Sequence, residues 1–126
     1  MFGDCFIWII SNGIKYLNML FGECYNLKTY AGSNDADGDF SKYVIPDTVI
    51  DIGHMFMNCS SLTIAPAIPS NVKSMYFTFS GCTSLKTAPT IPNSVIDIYS
   101  TFYSCVSLTG EIEINITSCN DYNAFN

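Results

Sequence analysis

Three windows of this chain superimpose at one strict offset, the twenty-three positions that separate Ile45 from Ile68 and Ile68 from Ile91, and that period constrains the fold more than any other feature. Ile45-Pro46, Ile68-Pro69 and Ile91-Pro92 open the windows. Val49, Val72 and Val95 follow, then Ile52, Met75 and Ile98, then Phe56, Phe79 and Phe102. Cys59, Cys82 and Cys105 come next, and Leu62, Leu85 and Leu108 close the set. Such a period is the signature of a solenoid, in which each repeat is one coil that buries its apolar side only against its neighbours. Equivalent positions of successive coils then lie about 4.8 Å apart, and each becomes a column of like side chains.

The local pattern predicts a β-rich solenoid. Val-x-x-Ile favours one short strand per coil. Phe-x-x-Cys-x-x-Leu brings residues three apart to one side, which suits a single helical or 3₁₀ turn facing inward. Ala88 and Ile91 precede prolines, so the chain from Leu85 to Ile91 is expected to be extended. The pattern continues upstream in Phe21-x-x-Cys24-x-x-Leu27, with Ile14 and Leu17 at the valine and isoleucine positions. Phe21 precedes Phe56 by one period plus twelve positions, and the excess falls in the polar stretch 30–43. Upstream again, Phe2-x-x-Cys5-x-x-Trp8 fits the same core but stands four positions too close to Phe21, and Phe125 lies one full period after Phe102. Between those last two, Ile112, Ile114 and Ile116 alternate like a half-buried strand. The expected organisation is one domain: a partial coil 1–9, a coil 10–29, the insertion 30–43, regular coils 45–67, 68–90 and 91–113, and a partial coil 114–126.

Composition narrows the partners. Hydrophobic residues make up 48% of the 126, ample for a core, and charged residues only 13%, about half the usual share. Net charge is −6, with eleven acids, five lysines and no arginine. A nucleic-acid binder needs a basic face and usually bidentate arginines, so nucleic acid is not an expected partner, nor is an anionic membrane surface. The longest apolar run, Phe6 to Ile10, is too short to span a bilayer or to serve as a secretory signal.

The repeated Phe-x-x-Cys-x-x-Leu, preceded by Ile-Pro-x-x-Val, resembles the BspA-type leucine-rich repeats of bacterial surface proteins. Asn58-Cys59-Ser60-Ser61-Leu62 and Ser80-Gly81-Cys82-Thr83-Ser84-Leu85 carry the resemblance, which spans Ile45 to Leu108 strongly and Ile10 to Leu27 well. It implies leucine-rich-repeat-like coils, one per period. It also implies a place on a cell or virion surface, and adhesion or recognition rather than catalysis. The chain departs from the pattern in the twelve-position insertion, the shortened first coil, and Glu111-Ile112-Glu113 where Ala-Pro-Thr is expected. No catalytic residue carries over, because the pattern contains none, and no cofactor is implied.

Five of the six cysteines (5, 24, 59, 82 and 105) occupy one column; Cys119 does not. Zinc would want a Cys-x-x-Cys pair or clustered histidines, and neither exists. The expected state is a stack of buried thiols in a slot too small for leucine. Ser33-x-Asp35-x-Asp37-Gly38 partly matches the start of a calcium loop, but its twelfth position is Val44 rather than glutamate, which excludes an EF-hand. A looser calcium site from Asp35, Asp37 and Asp39 is the weak alternative to a solvated loop. Asp47, Asp51 and Asp97 read as turn or edge residues, and two glycosylation sequons begin at Asn58 and Asn115.

Positions that vary while the columns stay constant are the candidate binding surface. His54, Phe77 and Ser100 are equivalent, as are Gly53, Tyr76 and Tyr99, and Met57, Ser80 and Tyr103. Exposed rings on a rigid scaffold suit protein or glycan recognition, which nominates Tyr76, Tyr99, Tyr103, His54 and Phe77; packing of these rings against neighbouring coils is the competing reading. The expected function is a non-enzymatic recognition or adhesion module, extracellular, at a cell surface or on a virion. The alternative is a structural subunit that stacks head to tail through open ends, Met1-Phe2 beginning at the phase where Phe125-Asn126 stops.

Overall fold

The computed structural model describes residues 13–25, 45–110, 112 and 123–125. The partial coil 1–9, Leu27, the insertion 30–43 with Asp35, Asp37 and Asp39, Cys119, and Ile114 and Ile116 lie outside the described residues.

Equivalent residues of successive repeats sit directly above one another. Isolated parallel bridges join Asp51 to Ser74, Ser74 to Asp97 and Ile64 to Thr87, each pair one repeat apart. A further bridge joins Tyr16 to Asp51, so residues 13–25 stack on the coil 45–67 although the two lie thirty-five positions apart in the chain. One ring column runs through the interior. Phe21, Phe56, Phe79, Phe102 and Phe125 follow one another with centroids 5.4–5.7 Å apart and planes within 1–18° of parallel. That is the offset stacking aromatic rings prefer. Val49, Val72 and Val95, then Ile52, Met75 and Ile98, then Leu62 and Leu85, form parallel columns of fully buried side chains beside it.

The β-rich expectation is overturned. Among the described residues there is no helix, and no strand beyond those single-residue bridges, hence no sheet. Neither the short strand at Val-x-x-Ile nor the helical turn at Phe-x-x-Cys forms. The backbone bonds show why. In the coil 45–67, the amides of Ile52, His54, Phe56 and Asn58 donate to the carbonyls of Ser74, Tyr76, Thr78 and Ser80 at 2.7–3.1 Å. Met75, Phe77, Phe79 and Gly81 donate in the same way to Asp97, Tyr99, Thr101 and Tyr103. In the first described coil Leu17, Met19, Phe21 and Glu23 donate to Asp51, Gly53, Met55 and Met57. Every rung in these runs points its N–H toward the following coil, whereas a strand pair exchanges donors and acceptors in both directions.

Between rungs the chain closes on itself in a series of β-turns. Met55 N–H donates to Ile52 O, Met57 to His54 O, Cys59 to Phe56 O and Leu62 to Cys59 O, and the series recurs at 75–85 and 98–108. Two residues per coil adopt left-handed backbone at constant phase: Met19, His54, Phe77 and Ser100 at one, Glu23, Asn58, Gly81 and Ser104 at the other, with φ of 50–77°. Each is the third residue of a turn whose second residue has ordinary φ, the pattern of a type II turn. Left-handed residues four apart let alternate peptides bond to the neighbouring coil while the peptides between them close turns within their own coil. The Ile-Pro corner adds a further turn, with Val49, Val72 and Val95 donating to Pro46, Pro69 and Pro92.

Candidate functional site

The left-handed turn puts a side chain on the surface next to the bridge column, and the nominated rings gather there. His54 lies face to face with Phe77 (centroids 5.1 Å apart, 13° between planes) and edge-on to Tyr76 at 4.8 Å. Phe77 meets Tyr99 at 5.3 Å and 61°. All four are half-buried. The structure therefore joins His54, Tyr76, Phe77 and Tyr99 in one aromatic row spanning three coils, in which packing against neighbouring coils and partial exposure coexist. Tyr103, two turns further along its coil and 46% exposed, has no ring contact among the described residues.

Small and polar neighbours hold the row in place. A Cβ on Gly53 would lie 2.1 Å from Cε1 of Tyr76, so the ring occupies the space over that glycine. Asn18 Nδ2 donates to the Tyr76 hydroxyl at 3.2 Å and to Asp51 Oδ1 at 3.0 Å. Asp51 Oδ1 also accepts the Gly53 amide and Asp97 Oδ1 the Tyr99 amide, both at 2.9 Å. Asp97 thus fixes the turn that carries the Tyr99 ring, and Asp51 the turn that leads into His54, an Asx-type closure in both.

A second polar cluster follows the other left-handed column. Asn58 Nδ2 donates to Glu23 Oε1 at 2.8 Å, and the Tyr25 hydroxyl donates to Glu23 Oε2. The Tyr25 bond first and the Asn58 bond second hold the Glu23 carboxyl below the usual carboxylate range, and the same contact raises Tyr25. Asn58 is thus committed to coil-to-coil contact and packs over Gly81, where a Cβ would fall 2.1 Å from its Oδ1.

The cysteine column is more specific than a small apolar filler. Cys59 Sγ donates to Phe21 O at 3.0 Å, and Cys82 and Cys105 donate to Phe56 O and Phe79 O at 3.1 Å. Phe56 O already accepts the Cys59 amide, so the thiol occupies the second lone pair of a buried carbonyl, which an alanine could not do. Burial pushes the Cys59 thiol up to about 12 and Cys105 to about 11, and raises Cys82 further still. Two expectations are corrected. Cys24 is disulfide-bonded rather than a buried thiol, while Cys59, Cys82 and Cys105 are free. Cys105 is only partly buried, whereas Cys59 and Cys82 are enclosed.

Sequence reasoning missed the buried threonines, whose hydroxyls cap carbonyls of the preceding coil: Thr78 donates to Ile52 O at 3.0 Å and Thr101 to Met75 O at 2.7 Å. Their signal was a threonine repeated one residue before each phenylalanine of the later coils. On the proline side a shallow groove of about 360 Å³ runs between Ala65–Ile68 and Pro89–Pro92, lined by apolar groups with the hydroxyl residues Ser70 and Thr90. Among the described residues no group of three or more His, Cys, Asp or Glu is placed to hold a metal ion, and no helix is long and apolar enough to cross a membrane. No family model, curated protein or solved structure matches this chain.

Proposed function

We propose that the chain is a non-enzymatic recognition module of a surface or virion protein, akin to the BspA-type repeats it resembles, which binds a protein or glycan through its aromatic row. The observation that carries this reading is the row itself: His54, Tyr76, Phe77 and Tyr99 on one side of three coils, each ring partly open. Its backbone is held by inter-coil bonds, so ordering it on binding costs little entropy. Asn18, Asp51 and Asp97 lie beside it and add hydrogen-bonding capacity at the rim. Aromatic centres with polar surrounds are the composition of binding hot spots. The test is a screen of the native protein against immobilised glycans and cell-surface proteins, repeated with Tyr76→Ala/Tyr99→Ala. Loss of a captured ligand with unchanged thermal unfolding supports the reading. Capture that survives the double substitution refutes the row as the site.

A second reading, a subunit that stacks end to end, is favoured by two observations. The amides at 17–23, 52–58 and 75–81 donate toward the following coil, while Asp51, Ser74 and Asp97 donate back to the preceding one, so the coils stack in one direction and a stack continued through them would be head to tail. Phe125 is 49% exposed although its ring continues the column beyond Phe102. Light scattering across a concentration series separates this reading from a monomeric binding module.

A further inference from the structure

The three free thiols among the described residues, Cys59, Cys82 and Cys105, are neither equivalent nor isolated. They occupy one column at the coil spacing, about 4.8 Å, which is within the Cα separation a disulfide tolerates, about 4.4–6.8 Å. Cys24, in that same column, is already oxidised. Cys82 is the middle thiol, so it is common to both adjacent pairs, and three thiols can close one bridge at most. Access breaks the tie. Cys59 and Cys82 have no exposed surface, while Cys105 is partly open. From this geometry we infer that Cys105 is a thiol-modification site for small-molecule disulfides, and that Cys82 resolves the adduct into a Cys82–Cys105 bridge that staples two neighbouring coils while sparing Cys59.

The chemistry balances without any further oxidant. The Cys105 thiolate attacks one sulfur of the small disulfide; that S–S bond breaks, and one equivalent of small thiol leaves and takes up a proton. Cys105 then no longer donates to Phe79 O, its bond in the reduced state. Cys82 loses its proton and attacks Cys105 Sγ, and the second small thiol leaves and is protonated. Two protein thiols are oxidised by two electrons, and one small disulfide is reduced to two thiols. The order of events agrees with acidity, since Cys105 is raised least of the three. All three thiolates are scarce near neutrality, so the reaction is slow there and accelerates about tenfold per pH unit below the Cys105 pKa.

The experiment incubates the native protein with excess oxidised glutathione at pH 8, quenches with acid, and maps the cysteine peptides by mass spectrometry without reduction. The expected record is a transient glutathione adduct on Cys105, then a Cys82–Cys105 peptide pair, with Cys59 alkylated only after denaturation. Cys105→Ser, whose hydroxyl can keep the bond to Phe79 O, should abolish modification of Cys82. Cys82→Ser, which can keep the bond to Phe56 O, should leave a lasting adduct on Cys105. If Cys82→Ser does not fold, the map of the parent protein decides alone. A bridge containing Cys59, an adduct on Cys105 that never resolves in the parent protein, or equal modification of all three thiols would overturn the inference.

Discussion

Phe79 is fully enclosed at the middle of the interior ring column, and replacing it with alanine tests the stacked arrangement directly. The residue has no exposed surface. It contacts Phe56 at 5.4 Å and Phe102 at 5.7 Å, nearly parallel to both. Truncating a buried phenylalanine costs about 3–5 kcal/mol in transfer energy and cavity. Two ring pairs are lost here, each worth about 0.5–1.5 kcal/mol beyond area burial. The neighbours cannot collapse into the gap easily, because Phe56 and Phe102 each donate their amides to the next coil, at 2.9 and 2.7 Å. The expected cost is therefore at the upper end, about 4–5 kcal/mol, a large share of the stability of a domain this size. Phe125→Ala is the control: its ring has Phe102 on one side and is 49% exposed, so about 1 kcal/mol is expected. Urea unfolding followed by near-ultraviolet circular dichroism reads both. A Phe79→Ala midpoint equal to that of the parent, or equal losses at Phe79 and Phe125, would refute the column as the source of stability.

Four further outcomes follow from the turns and the titrating groups. Ser104 has a φ of 60°, so Ser104→Gly should relieve left-handed strain of about 1–2 kcal/mol, offset by about 0.5–1 kcal/mol of unfolded-chain entropy, for no loss or a small gain in thermal midpoint. Gly81→Ala, with a φ of 77° and a Cβ 2.1 Å from Asn58 Oδ1, should instead lower the midpoint clearly. The Glu23 carboxyl is held below its ordinary range by Tyr25 and Asn58, so its contribution is present above the unfolded pKa and is lost as pH falls through the folded value; Glu23→Gln should flatten that acid limb of a stability–pH curve. Cys59 is raised by burial from 9.0 to about 12, so its contribution is complete below pH 9 and is lost as pH rises toward 12; Cys59→Ser should reduce that alkaline loss in equilibrium unfolding.

Read alone, the sequence determined which residues share a column. The repeat period places Phe56, Phe79 and Phe102 above one another, and allowing for the insertion brings Phe21 into the same register. Periodicity carries this because a stacked array must bring equivalent residues together whatever path the backbone takes between them. That path was not legible. Val-x-x-Ile and Phe-x-x-Cys favour strand and helical turn by local preference, yet the tertiary structure replaced both with turns through left-handed residues at His54, Asn58, Phe77 and Ser104. In one of the two columns Asn58 and Gly81 are residue types that tolerate left-handed backbone, but Met19, Phe77 and Ser100 in the other gave no such signal. What stabilises it is the set of amide bonds between adjacent coils, a non-local contact that overrides propensity. The aromatic row shows the same division. Its members stood out as variable positions, but only the left-handed backbone at His54 and Phe77, and the space over Gly53, decided that these rings meet. The cysteines differ again: among the described residues the column holds one disulfide-bonded cysteine, Cys24, and three thiols of unequal access, because burial depends on which coils lie on either side.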